Sequence, residues 1–246
     1  MKPQFLKLFE KSFSRKYPKG YWEHFYRDNP CGTPRGVALW NRNNLVGFSA
    51  IIIQELHDRK SDNLIPYGYY VTAMIDPAHR KGGLAYIQIV NKIKFLGEDA
   101  GLKCIIGFPN TNNFLPMTKL GNFQHIDSAR FVRTNNGLGK YKNFLVKEIK
   151  KNFFSERLWR WRLSRFSYGK EDGCITKVFK GQKNILDWLE ISEKEDFDEI
   201  FPFWLSFGEC PFEIVDDYII RFCCLPLDTN FNPQVLKRSI LYSDVF

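Results

Sequence analysis

Hydrophobic positions change period several times along the first half of the chain, and each change predicts an element. Phe5, Leu6, Leu8, Phe9 and Phe13 recur at helical spacing, and Tyr21–Tyr26, after Pro18-Lys19-Gly20, predicts a second short helix. Pro30, Gly32, Pro34 and Gly36 mark a loop. Two strand-like runs follow, Gly36–Trp40 and Leu45–Leu56; the turn Asn41-Arg42-Asn43-Asn44 between them predicts an antiparallel hairpin. The polar stretch from His57 to Asn63 leads to a third run, Tyr67–Ile75.

The third run stops at Asp76-Pro77, and Ala78-His79-Arg80-Lys81-Gly82-Gly83 forms a loop. Ile87, Val90, Ile93 and Leu96 then mark a helix that runs to Ala100 and is stopped by Gly101. The apolar run Cys104–Phe108 follows. Strand, glycine loop, helix and strand form a βαβ unit, which predicts parallel strands with a right-handed crossover. A short helical segment to Leu120 and strands near Phe123–Arg133 and Tyr141–Ile149 complete a mixed α/β (α+β) sheet.

From Lys140 to Arg165 the chain carries nine Lys or Arg and two Glu among Phe, Trp and Leu residues. The expected division is a domain over 1–150, a basic aromatic connector over 151–170 and a small α/β segment over 171–246. In that last segment a strand is expected at Cys174–Phe179, helices around Ile185–Ile191 and Phe197–Phe207, and strands at Tyr218–Leu225 and Ser239–Phe246.

The 246 residues are 44% hydrophobic and 26% charged, which excludes the disordered and low-complexity classes. Aromatics at 16%, with 23 Phe, predict a core filled by large rings. Lys plus Arg exceed Asp plus Glu by 36 to 27, and the net +9 points to anionic partners. The six Cys lack disulfide or metal spacing, so reduced thiols and no metal are expected. No apolar run approaches the roughly 20 residues of a membrane span. The expected location is cytoplasmic.

Candidate chemistry sits in Arg80-Lys81-Gly82-Gly83-Leu84-Ala85, which reads R-x-x-G-x-A between a strand and a helix start. Glycines let several backbone N–H groups converge. The helix N-terminus adds about half a positive charge, and together they suit a pyrophosphate.

This pattern and its context resemble the GNAT superfamily of acyl-CoA-dependent N-acyltransferases, over roughly residues 3–150. The resemblance implies a sheet in which two parallel strands splay apart, and a cosubstrate, acetyl-CoA or another acyl-CoA. Its pyrophosphate would lie on Arg80, Lys81, Gly82, Gly83, Leu84 and Ala85, and its pantetheine arm along Ala73, Met74 and Ile75. A bulge in that strand would aim an N–H at the thioester carbonyl. Asn110, after the second strand, resembles the polar residue that meets the cofactor arm. Lys119-Leu120-Gly121-Asn122-Phe123 resembles the family's K-L-G-F ending with Asn122 inserted. Met117 stands where many relatives carry a Tyr that protonates the leaving thiolate. Residues 171–246 resemble a partial second copy without the glycine loop.

For the base that deprotonates the amine, the candidates are Glu55, His57 and Tyr70, each of which also reads as a strand-edge charge, a solvated loop residue or a packed ring. His79 lies beside the phosphate loop and reads as a phosphate or solvent contact. Tyr21, Trp22 and Tyr26 either stack on a sugar ring or pack under a short helix. The leading expectation is transfer of an acetyl or short acyl group to a small or carbohydrate amine, such as an amino sugar in surface-polysaccharide assembly. The alternative is a non-catalytic coenzyme A-binding or nucleic-acid-binding module. Lys147–Phe166 reads either as a packed connection or as a weak contact with the inner face of an anionic membrane. Gly137-Leu138-Gly139-Lys140 lacks the spacing of a nucleotide loop and reads as a hairpin turn after Asn135-Asn136.

Overall fold

The computed structural model describes residues 1–58, 61–134, 138–139, 141–165, 169–171, 174–179, 182–188 and 200–239. Helices α1 (Lys2–Phe13) and α2 (Tyr21–Tyr26) precede strands β1 (Arg35–Asn41), β2 (Asn44–His57) and β3 (Leu64–Ile75). Helix α3 (Leu84–Asp99), β4 (Cys104–Gly107), α4 (Thr111–Leu115) and β5 (Gln124–Arg133) follow. The second half holds α5 (Tyr141–Ile149), β6 (Phe153–Phe154), α6 (Glu156–Arg165), β7 (Gly169–Glu171), β8 (Cys174–Phe179) and β9 (Gln182–Trp188). It ends with β10 (Ile200–Trp204), β11 (Glu213–Ile214) and β12 (Ile220–Pro226).

One mixed sheet runs through both halves in the order β1-β2-β3-β4-β12-β5-β10-β9-β8-β7. The hairpin β1–β2 closes at Asn41↔Asn44, with Arg42 at φ +53°. Strands β3 and β4 are parallel, as the βαβ pattern requires. Helix α3 covers one face with Tyr86, Ile89, Val90 and Ile93, packed against Ile51 and Ile105. Helix α1 covers the other with Phe5, Leu8 and Phe9, packed against Phe48, Ala50 and Met74. Alternation along β2 explains the two layers, because Phe48 and Ala50 point opposite to Ile51. Each large apolar side chain buried here contributes roughly 1.5–3 kcal/mol.

Strand β12 lies between β4 and β5, antiparallel to both: Cys224 pairs with Ile106 on one side and Gln124 on the other. A strand from residues 220–226 is therefore built into the sheet of the first half.

Four sequence expectations change. Tyr141–Ile149 is helix α5; Tyr141, Leu145 and Glu148 are buried at a helical repeat that its short apolar run hides. The stretch expected as a helix around Ile185–Ile191 gives strand β9, and that around Phe197–Phe207 gives β10 and a short turn. All five residues of β10 are buried, so no polar alternation marks it as a strand. The chain after the Gly137–Lys140 stretch turns into α5 instead of a second hairpin strand. Asn135-Asn136 and the strand expected at Ser239–Phe246 lie outside the described residues, apart from Ser239.

The basic aromatic stretch forms β6 and α6. Phe153, Phe154 and Leu158 are buried, and Trp159 and Trp161 pack against the same core. Trp161 stacks on His24 of α2 at 4.1 Å. Among the described residues no helix is long and apolar enough to cross a membrane.

Candidate active site

Strand β3 is paired along its whole length with β2, but with β4 only from Tyr67↔Cys104 to Tyr69↔Ile106. Beyond Tyr69 the two parallel strands part. The cause is local. Thr72 and Ala73 together oppose Ser49, and Thr72 takes φ +56°, a rare conformation for a β-branched residue. Such a bulge bends its strand and sharpens its twist. Ser49 Oγ donates to Val71 O at 3.0 Å, and the Tyr26 hydroxyl lies 3.0 Å from Thr72 Oγ1, so the kink is held from both sides. On the facing strand, β4 ends at Gly107 and Pro109 has no N–H to continue the ladder.

The loop after β3 is braced at its start and open at its end. Asp76 Oδ1 accepts from Ala78 N at 3.0 Å, and Oδ2 accepts from Lys11 Nζ at 2.6 Å. Lys11 is the largest influence on this carboxyl and holds it below the usual range. Arg80 Nε donates to the Ile75 carbonyl at 2.8 Å, which ties the loop back to the strand. Gly82 and Gly83 take φ +74° and +72°. A side chain at Gly82 would meet nothing within 4 Å, and no side chain caps α3. The first-turn amides of α3 therefore remain donors for a ligand, which is what a phosphate group requires.

Two cavities flank the splay. One of about 310 Å³ runs beside the glycine loop and is lined by Ala73, Met74, Ile75, Arg80, Gly83 and Asn110 among others. The other, about 340 Å³, lies toward α1 and α2, with Tyr21, Tyr26 and Thr72 in its wall. Phe13, Tyr70, Ala73, Asn110 and Asn113 line both. Six of the ten residues expected to meet the cofactor thus line the loop-side cavity. Lys81, Gly82, Leu84 and Ala85 stand outside its lining, at the exposed or half-buried start of α3. Asn110 also caps α4, accepting from Asn113 N at 3.0 Å. The inserted Asn122 takes φ +57°, which Asn tolerates.

The candidate bases separate. Glu55 pairs with Arg157, and His57 pairs with Asp62. In the β2–β3 ladder they oppose Pro66 and Leu64, at the end of β3 remote from the bulge, and line neither cavity. Tyr70 lies at the junction of the two cavities, and burial pushes its hydroxyl up to about 12. A phenol held so high keeps its proton at neutral pH and cannot serve as a resting base. His79 lies 3.1 Å from the Asn41 amide. Trp22 packs on Phe5 and Tyr26 outside the cavity toward α1 and α2.

Sequence reasoning missed Phe9, Phe13, Arg15 and Tyr17 near α1, Tyr86 on α3, and Tyr218. Helical spacing exposed the apolar face of α1 but not that its rim borders a cavity. Tyr218 lies far along the chain, and its place follows from β12 entering the first sheet. Among the described residues no group of three His, Cys, Asp or Glu is placed to hold a metal.

Solved structures share this fold. A conserved protein from Enterococcus faecalis V583, described as a "Probable N-Acyltransferase", superposes with a TM-score of 0.60 at 8% identity, over 92% of this chain and 70% of that one. GCN5-related N-acetyltransferases from Kribbella flavida (TM-score 0.59, 14% identity, 92% and 68% covered) and Anabaena variabilis ATCC 29413 (0.56, 11%, 92% and 70%) superpose similarly. The chain has a GNAT fold. The splayed pair β3–β4 and the glycine turn before α3 are where the GNAT resemblance of the sequence placed them. No protein-family model matches the chain, and no curated protein matches its sequence. Within this GNAT fold Met117 is 1% exposed and lines the cavity toward α1 and α2 with an apolar thioether.

Proposed function

We propose that the protein transfers an acyl group from coenzyme A to a small amine. The observation that carries this reading is the gap between β3 and β4, bulged at Thr72-Ala73 and leading to an uncapped helix start. Amides from Gly82 to Ala85 would receive the pyrophosphate, with the exposed Arg80 and Lys81 nearby. The unpaired edge of β3 from Tyr70 to Ile75 offers backbone donors and acceptors to an amide-bearing arm, in the manner of an added strand. The cosubstrate supplies an activated thioester. Residues of this chain hold it, exclude water and present it to an amine in the second cavity.

Among the described residues no Asp, Glu or His lines either cavity, so the amine must arrive neutral or lose its proton to solvent. That lining disfavours polycationic acceptors. The Tyr21 and Tyr26 rings suit the apolar face of a sugar, which keeps an amino sugar, as in surface-polysaccharide assembly, within the proposal. A membrane contact through Lys147–Phe166 would rest on exposed cations such as Lys147, Lys150 and Arg160, because Phe153, Phe154, Trp159 and Trp161 are packed inside and Phe166 lies outside the described residues. The same packing disfavours nucleic acid, which needs exposed rings.

Acetyl-CoA at 100 times its dissociation constant adds about 2.7 kcal/mol, so the melting temperature should rise by about 5–10 °C. Gly83→Glu should remove the rise, since it adds a side chain at positive φ and a negative charge at the phosphate seat. A rise retained in that variant contradicts the placement. Thiol release with glucosamine, tyramine and spermine then ranks the acceptors, with spermine expected to be the poorest.

A further inference from the structure

The cavity toward α1 and α2, where the amine is proposed to sit, carries one charged side chain among the described residues that line it, Arg15. The rest of that wall is aromatic, aliphatic or neutral polar, with Thr72, Asn110 and Asn113 among its hydrogen-bonding groups. The end of α1 puts Arg15 there. Ser14 closes the helix at φ +53°, its N–H donating to Glu10 O at 2.8 Å, and the chain turns off the helix axis. Tyr17 anchors the turn, edge-on to Phe5 at 5.1 Å and to Phe9 at 4.8 Å. The Arg15 guanidinium lies 6.0 Å from the Phe9 ring and has neither an ion pair nor a hydrogen bond among the described residues. Other cations of α1 are engaged: Lys2 pairs with Glu23, and Lys11 with Asp76. At the Tyr218 rim, Asp216 accepts the Tyr218 amide and Arg221 acts on the same ring with the opposite sign, so that side adds little net charge.

We infer that the acceptor is an amine that also carries an anionic group, a carboxylate or a phosphate, and that Arg15 is the residue that reads it. The inference rests on the acyltransferase reading above and narrows the acceptor class. A guanidinium without a carboxylate partner, on the wall of a cavity without acidic side chains, makes that cavity positive. Such a cavity repels an acceptor whose only charge is an ammonium. It attracts one that brings an oxyanion, which the planar guanidinium fork can hold through two parallel N–H donors. The Tyr17 packing fixes the turn that carries Arg15, so less freedom is lost when the anion binds. Arg15 takes no part in the transfer itself and is a specificity residue.

The test uses two matched pairs: tyramine against tyrosine, which adds a carboxylate, and glucosamine against glucosamine-6-phosphate, which adds a phosphate. Thiol release from acetyl-CoA gives kcat/KM for each amine. In at least one pair the anionic member should lead by about tenfold, the size of one charge-assisted hydrogen bond at a partly open site, and the pair that shows it tells carboxylate from phosphate. Arg15→Gln should bring that ratio to about one, chiefly by raising the KM of the anionic amine, and Arg15→Lys should restore part of it. Arg15 is exposed and without an ion pair, so both variants should melt with the wild type. A lead below threefold in both pairs overturns the inference. So does a lead that survives Arg15→Gln, or a loss in that variant that falls equally on both members of a pair. If wild-type protein binds acetyl-CoA but none of the four amines releases thiol, the same four are titrated by calorimetry against protein saturated with coenzyme A, and the lack of an anionic preference removed by Arg15→Gln overturns the inference there too. Wild-type protein that neither binds acetyl-CoA nor releases thiol brings down the acyltransferase reading itself, and that result is visible without any variant.

Discussion

Two buried polar regions of this molecule treat their groups in opposite ways. At the back of the sheet, Asp187 receives Lys237 Nζ at 2.6 Å and Ser239 Oγ at 2.7 Å. Glu148 accepts the Arg238 amide at 2.8 Å and pairs with Lys151, and Asp127 accepts from Arg238 and Ser206. Every carboxylate there has a cation from the chain itself. In the cleft, the first amides of α3 have no side-chain cap, and burial alone surrounds the Tyr70 and Tyr86 phenols. Charge-paired burial joins β5, α5 and β9 to the segment 237–239, whereas the start of α3 carries no side-chain cap.

The sharpest way to break the comparison is at the paired region. Asp187→Ala leaves Lys237, 3% exposed, without its carboxylate and should cost about 3–5 kcal/mol, read by chemical denaturation. Replacing both partners with apolar residues should recover most of that loss. A cost below about 1 kcal/mol for the single change would show that water reaches the pair.

A smaller effect is expected where the cleft is braced. Asp76→Ala removes the Ala78 cap and the Lys11 pair and should cost about 1 kcal/mol, with weaker acetyl-CoA binding. The Asp76 carboxyl is held below its usual 3.8, so its contribution is present above that pH and fades as pH falls through the lower folded value. The melting-temperature gap between wild type and variant should therefore close in acid.

The smallest effect is nil at neutral pH. The Tyr70 phenol is raised from 10 to about 12 in the folded state, so between those values the unfolded chain sheds its proton first. Stability contributed by this group is whole below pH 10 and is lost as pH rises toward 12. Tyr70→Phe should flatten part of that alkaline fall in melting temperature.

Legibility in the sequence followed locality. The hairpin turn at Asn41–Asn44, the stop at Asp76-Pro77 and the paired glycines before α3 are decided by neighbours in the chain, and all were readable. Strand β10 was not, because a strand buried on both faces loses the alternation that identifies it, and β9, with Ile185, Leu186 and Asp187 buried in succession, does not alternate either. Among site residues, the glycine loop carries its own signal. Tyr86 and Tyr218 carry none, since each depends on which side of a distant strand it meets. Glu55 and His57 had the right chemistry but lie at the end of β2 away from the bulge, and only the β2–β3 register reveals it.

The insertion of β12 between β4 and β5 also sets a timetable. During synthesis the first 150 residues leave the ribosome before residues 220–226 exist, so the edges of β4 and β5 must wait, unpaired, for a partner more than a hundred positions downstream of β4. Open strand edges invite association with other chains, so a fragment stopped near residue 150 should aggregate where the full chain stays monodisperse. The side of the cleft that carries Tyr218 is thus completed only after β12 has been made, well after the glycine loop and the splayed strands.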